Sequence, residues 1–278
     1  MTTAKPITLT IAGNDASGGA GIAADLKTFA EFGTYGIAAL TVIATMDPDN
    51  NWSHGVTPID AEVVRQQLKT ATAGPEIDAM KTGMLPNVDI IKVIAETIHT
   101  HQLKNIVIDP VMVCKGADQV LNPENADALR DILTPLATIA TPNLFEAGQL
   151  SGLGALTSLD DMKKAAKIIQ GTGAKNVVVK CGRALEGDKA IDLFYDGKEF
   201  TVLESEKISP AHNHGAGCTF AAAVTAGLAH GLEPLEAVRT AKNFVTAAIR
   251  NGFDYNQWVG PVFHSGYRLE KQPGILEK

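Results

Sequence analysis

Residues 7–32 read ITLTIAGNDASGGAGIAADLKTFAEF. An apolar run, ITLTIAG (7–13), leads into the glycine-rich loop AGNDASGGAGIAADL (12–26). The following segment, 22–32, places Ile22, Leu26, Phe29 and Phe32 near one face of a helix. Strand, glycine loop and helix in that order open a βαβ unit, and the rest of the chain repeats the alternation. Further apolar runs fall at 37–45, 79–85, 105–113, 137–143 and 176–182. They are apolar throughout rather than alternating, as in strands of a parallel sheet covered on both faces. Helical patterns lie at 60–73, with Asp60 as N-cap and Glu62 in the first turn, at 158–171 behind Ser158, and at 218–231 and 234–251. Residues 187–205 read as a hairpin, AIDLFY and EFTVLE joined by DGK. The pattern predicts an α/β three-layer sandwich, a mostly parallel central sheet with helices on both faces. No linker or repeat interrupts it, so residues 1–278 are expected to form a single domain. The tail after residue 252 reads as an extended arm packed on the surface or on a partner subunit.

The chain has 278 residues, 45% hydrophobic and 20% charged, with a net charge of −7. A general affinity for nucleic acid or anionic membrane is not expected from that charge. No apolar run is long enough to span a bilayer, and the first residues lack the layout of a signal peptide. Cysteines at 114, 181 and 218 are odd in number and lack metal-type spacing. They read as reduced thiols of a cytoplasmic protein.

The stretch HNHGAGCTFAAA (212–223) carries the strongest chemical signal. Gly215 and Gly217 allow successive N–H groups to converge, and the helix that follows adds donors and the positive end of its dipole. This is a place for a phosphate. Cys218 at the same helix start should have a lowered pKa, which makes it a candidate proton acceptor for a substrate hydroxyl. The alternative is a small buried residue beside an ordinary turn. In TPNLFEAGQL (141–150), Asn143 and Glu146 are spaced to hold a hydrated Mg²⁺ or, equally, to form a capping box. Asp109 ends the run VIDPVMVCKG (107–116) at the ligand edge of the sheet and could share the metal with Glu146. The glycines at 12–26 do not match the GxxxxGK[ST] loop and come too late for a dinucleotide turn, so that loop is read as backbone approaching a small ligand. Asp25 there is either a ligand group or simply a helix-dipole partner. Lys180 ends a strand, where it meets a phosphate or solvent. Met46, Trp52 and Met84 follow strands and are either a wall for a flat ring or core. His212 and His214 lie nearest the glycine turn.

TIAGNDASGGAGIAADLKTF, MKTGMLP, DPVMVCKG, TPNLFEAGQLSG and HGAGCTFAAA together resemble the ribokinase superfamily. Within it they are similar to its vitamin-kinase branch, the hydroxymethylpyrimidine (phosphate) kinases and the pyridoxal kinases related to them. The resemblance covers nearly the whole chain and implies a ribokinase-like sandwich. It implies transfer of the γ-phosphoryl of ATP, with Mg²⁺ and in some members a monovalent cation, to a hydroxymethyl group on an aromatic nitrogen ring. It assigns Gly215, Ala216 and Gly217 to the anion hole and Cys218 to catalysis, where much of the superfamily has aspartate. Asn143 and Glu146 match the magnesium-positioning motif. Lys180, Gly182, Asp192 and Lys242 fall in the nucleotide region. Gly13, Asp25, Met46, Met84 and Val111 match positions lining the ring pocket. The common oligomer of the branch is a homodimer.

Two substrate classes then compete. A pyrimidine carries an amine that wants a polar partner, and pyrimidine kinases commonly place Gln or Glu where this chain has Met46. Loss of that partner is worth about 1–3 kcal/mol. Cys114, on the loop VCKG, could add to the aldehyde of pyridoxal to give a hemithioacetal, although an ordinary loop cysteine is the simpler reading of that position. The expectation is a pyridoxal, pyridoxine and pyridoxamine kinase. The alternatives are a hydroxymethylpyrimidine (phosphate) kinase and a non-catalytic vitamin-binding protein on the same fold.

Overall fold

The structure is a computed structural model describing residues 5–112 and 123–271. Its strands are β1 (Ile7–Asp15), β2 (Tyr35–Asp47), β3 (Ser53–Pro58), β4 (Ala79–Thr82), β5 (Ile106–Ile108), β6 (Ile139–Ala140), β7 (Asn176–Gly182), β8 (Lys189–Tyr195) and β9 (Phe200–Glu206). They form one sheet in the order β3-β2-β1-β4-β5-β6-β7-β8-β9. The neighbours from β2 through to β7 run parallel, while β3, β8 and β9 pair antiparallel. The helices are α1 (Gly21–Glu31), α2 (Ala61–Ala71), α3 (Val88–His101), α4 (Pro123–Ala128), α5 (Leu144–Ser151), α6 (Leu159–Gly171), α7 (Ala216–Ala229), α8 (Pro234–Arg250) and α9 (Gly266–Lys271). None of the described helices is long and apolar enough to cross a membrane.

The continuous apolar runs are explained by burial on both faces. In β7, Val177 and Val179 join the core beneath α2, α3 and α6, while Val178 joins the core beneath α7 and α8. Helix α7 has almost no polar face because α1, α8 and the sheet surround it. Its small residues permit the close fit: a Cβ on Gly227 would lie 3.1 Å from Ala237 Cβ of α8.

Several boundaries differ from the sequence expectation. The runs 105–113 and 137–143 contribute only three and two ladder residues, β5 and β6. Pro110 and Pro142 follow closely and bring no N–H to the ladder. Strand β3 has no apolar signal because it is an exposed edge that buries little. Helix α7 starts two residues earlier than 218. The tail is only partly an extended arm. Among the described residues it pairs through Pro261 with His214, buries Val259 and Val262, and includes α9.

His264, at the base of that tail, is buried with Nε2 3.1 Å from Thr219 Oγ1. Burial, helped by Lys27, pushes its imidazole down to about 4. The unfolded ring titrates near ~6.5, so between that pH and 4 the unfolded chain binds the extra proton. Stability is expected to fall by about 3 kcal/mol as pH drops across this window. Urea unfolding at a series of pH values checks it, and His264→Gln should flatten that part of the profile.

Candidate active site

Strand β1 has β2 on one side and β4 on the other, so the chain reverses direction across the sheet there. The crevice at the carboxyl ends of strands near such a switch is where open α/β sheets bind ligands. A cavity of about 390 Å³ lies there. Gly13 comes to it from the end of β1, Met46 and His54 from the β2–β3 ribbon, Met84 from beyond β4, and Asp109 and Val111 from beyond β5.

Gly215, Gly217 and Cys218 close one end of this cavity. Gly215 is the N-cap of α7 with φ +81°, and a Cβ there would run into the Gly19 carbonyl oxygen. Only glycine permits both the left-handed turn and the close approach. Cys218 is the third residue of α7. Its side chain faces the cavity, yet the protein around it leaves it poorly hydrated. Burial pushes the thiol up to about 11; Lys81 pulls it back, while Asp25 and Asp109 oppose that pull. The lowered pKa expected from the helix start alone is therefore corrected: desolvation outweighs it.

A second cavity, about 460 Å³, lies on the far side of the same turn. Gly182, Asp192, Ala216 and Lys242 line it. Lys242 Nζ is 2.7 Å from Asp192 Oδ2, and Asp192 Oδ1 accepts from the N–H of Cys181 at 2.9 Å and of Gly182 at 3.1 Å. The two cavities share Asn143, Lys180, Asn213 and Gly217. A group passing from one to the other would cross this wall.

Charge is concentrated at the wall. Lys180 Nζ donates to Asp109 Oδ1 at 2.6 Å, and Thr141 Oγ1 donates to the same oxygen at 3.1 Å. Burial works against the Lys180 ammonium, but Asp109 and Glu146 outweigh it and hold its pKa above the ordinary value. Asn143 and Glu146 do form the capping box of α5, with reciprocal bonds of 2.9 and 2.8 Å. Burial pushes the Glu146 carboxyl up to about 7; Lys180 pulls it down and Asp109 adds to the push. A carboxyl pressed toward neutrality by burial, with a second carboxylate adding to the push, is a donor set a divalent cation would relieve. Mg²⁺ held through one or two carboxylates and waters fits these residues. The capping and metal roles of Glu146 are compatible, since each uses different lone pairs.

One expected site residue does not line the cavity, and another falls outside the described residues. Asp25 lies wholly buried beneath the cavity, paired with Lys81 at 2.8 Å, and does not line it. The inward face of α1 turns it onto the sheet rather than toward the crevice. Cys114 lies outside the described residues. Sequence reasoning passed over Lys81, Asp15 and Asn213 and gave His214 little weight. Asp15 and His214 are 8% exposed each and bond at 2.6 Å, which ties the first glycine loop to the HGAG turn. Their signal was present: a strand-end acid and a histidine beside the two glycine segments that meet in space.

A family model described as phosphomethylpyrimidine kinase matches residues 15–263. The chain is 60% identical over 264 residues to the pyridoxine kinase of Bacillus subtilis, covering 95% of this chain and 97% of the relative. It is 39% identical over 260 residues to the hydroxymethylpyrimidine/phosphomethylpyrimidine kinase of the same organism, covering 94% and 95%. Among solved structures it is similar to the pyridoxal kinase from Staphylococcus aureus in complex with AMP-PCP and pyridoxal. There the identity is 53% and the TM-score 0.91, with 96% of each chain covered.

Proposed function

The chain belongs to the phosphomethylpyrimidine kinase family, and from that premise we propose that it transfers the γ-phosphoryl of ATP to the 5′-hydroxymethyl group of pyridoxal, pyridoxine and pyridoxamine. The observation that carries the reading is the pair of cavities meeting at Gly217, Lys180 and Asn143. One is walled by Met46, Met84 and Val111, which suit a flat ring; the other sets Lys180, Asp192 and Lys242 beside Val245 and Ile249, charged groups for phosphates and apolar ones for a base. The greater likeness to a pyridoxine kinase than to a pyrimidine kinase supports the choice of ring. So does Met46, which has no hydrogen bond to give a pyrimidine amine.

The vitamin occupies the cavity behind the HGAG turn with its hydroxymethyl group toward Cys218, and ATP occupies the second cavity. Backbone N–H groups at 215–218 and the start of α7 stabilise charge on the transferring phosphoryl group, aided by the Lys180 ammonium. Cys218 accepts the hydroxyl proton. With its thiol pushed up to about 11 it is mostly protonated in the free protein, so positioning and charge stabilisation carry most of the rate. Asp109 and Glu146 would hold Mg²⁺, which neutralises phosphate charge when bound. A homodimer and a cytoplasmic location belong to the same proposal.

The test is one assay of purified protein with Mg-ATP, offering pyridoxal, pyridoxine and hydroxymethylpyrimidine in parallel and weighing each product by mass spectrometry. Dominant pyridoxal phosphate supports the reading. Dominant pyrimidine phosphate overturns it in favour of the other branch, and no vitamin-dependent ATP use would leave a binding protein. Cys114→Ala is expected to reduce kcat/KM for pyridoxal by about tenfold, ~1.4 kcal/mol, and to spare pyridoxine, which has no aldehyde. Equal loss on both would exclude covalent capture.

A further inference from the structure

Lys81 of β4 and Asp25 of α1 have no exposed surface. Lys81 Nζ donates to the two Asp25 oxygens at 2.9 and 2.8 Å, and Thr10 Oγ1 adds a bond of 2.6 Å. Burial pushes the Asp25 carboxyl up. The same carboxylate keeps the Lys81 ammonium above its usual range despite burial. The short paired bonds favour the ionised form. Neither residue lines either of the two cavities described above. An apolar pair of similar volume would often hold such a site as well or better, so stability does not explain why charges are there.

Their placement does. Helices α1 and α7 pack on one another and on β1, and α7 packs on β4. Asp25, Cys218 and Lys81 are therefore carried to one side of the sheet. The Lys81 ammonium lies 3.5 Å from where a Cβ on Gly83 would be, and Gly83 lines the same cavity as Cys218. The charged groups acting on the Cys218 sulfur are Lys81 from β4, Asp25 from α1, Asp109 beyond β5 and Lys180 from β7. Lys81 pulls the thiol down and Asp25 pushes it up. Through Gly83, the Lys81 end of the pair is placed toward the cavity that Cys218 lines.

We propose that Lys81 is a positioning residue for phosphoryl transfer: anchored by Asp25 beneath the cavity, its ammonium sets the ionisation of Cys218 and readies it to take the substrate proton. This rests on the reading of Cys218 as proton acceptor. In that step Cys218 reacts from its thiolate form: the substrate O–H bond breaks and an S–H bond forms. The freed oxygen electron pair makes the new O–P bond, and the old bond to ADP breaks with its pair leaving on ADP. Lys81 keeps its three protons throughout.

The test follows thiol ionisation directly. Iodoacetamide alkylation of the Cys218 peptide is measured by mass spectrometry from about pH 6 to 10, which separates it from Cys114 and Cys181. Lys81→Met with Asp25→Leu removes both charges together. Its alkylation curve should move to higher pH, with a rate about tenfold lower at a given pH. Asp25→Asn removes only the negative end and should move the curve to lower pH. An unchanged curve in the double variant, or shifts in the same direction in both, overturns the proposal. If the double variant does not fold, Asp25→Asn decides alone: a downward shift supports the linkage and an unchanged curve overturns it. Shifted alkylation with unchanged turnover would instead fault Cys218 as proton acceptor and leave the linkage standing.

Discussion

Gly215→Ala is expected to lower kcat by about a hundred- to a thousandfold, the scale of losing one aligned oxyanion donor. Two costs meet at this residue. Alanine at φ +81° is strained by about 1–2 kcal/mol. Its methyl would also run into the Gly19 carbonyl oxygen, and that contact is backbone against backbone, which no rotamer change can relieve. The turn must shift, and the N–H groups at 215–218 shift with it. Since these groups matter most once charge has built up on the phosphoryl group, kcat should fall much more than the KM for either substrate changes. Gly231→Ala separates the two costs. Gly231 has the same φ of +81° with nothing within 4 Å of a Cβ. It should lose about 1–2 kcal/mol of stability and keep full turnover. Steady-state kinetics and urea melts on both variants check the comparison.

The same geometry shows which parts of the site were legible beforehand. Residues placed at the end of a strand or the start of a helix could be located, because apolar runs and glycines mark those places. Gly13, Asp109, Asn143, Lys180 and the 215–218 turn all reach the cavity walls. Asp25 was misplaced because its position early in α1 says nothing about which way the helix faces. Its direction is fixed by packing against β1 and β4, and the partner that explains it, Lys81, is 56 residues away. Cys218 was read from its helix start alone, and burial, which depends on the assembled fold, reverses the sign. The edge strand β3 was invisible because a strand that buries little needs no apolar pattern. For Glu146 the cap is present, and the neighbouring Asp109 supports the proposed ligand role beside it.

Lys81→Met alone is expected to destabilise the protein by about 3–5 kcal/mol, because it leaves Asp25 buried without its counter-charge. Asp25 has no exposed surface, and without Lys81 it keeps the bond donated by the Thr10 hydroxyl at 2.6 Å. Burial already pushes this carboxyl up with Lys81 present; without the ammonium it should rise further. A folded-state pKa raised above the unfolded value makes the folded state bind the extra proton, so stability falls as pH rises through the window between the two. The deficit should therefore be full at neutral pH and narrow as pH falls toward about 4, where the unfolded carboxyl also protonates. Adding Asp25→Leu removes the stranded charge. The double variant should recover most of the loss and show no such pH dependence, as replacement of buried pairs by apolar residues is often neutral. Urea unfolding of the four proteins of this cycle, at neutral and acid pH, measures the coupling. If Lys81→Met is no less stable than the parent at neutral pH, Asp25 is protonated in the parent too. The pair would then be a neutral hydrogen-bonded unit rather than a buried dipole aimed at Cys218.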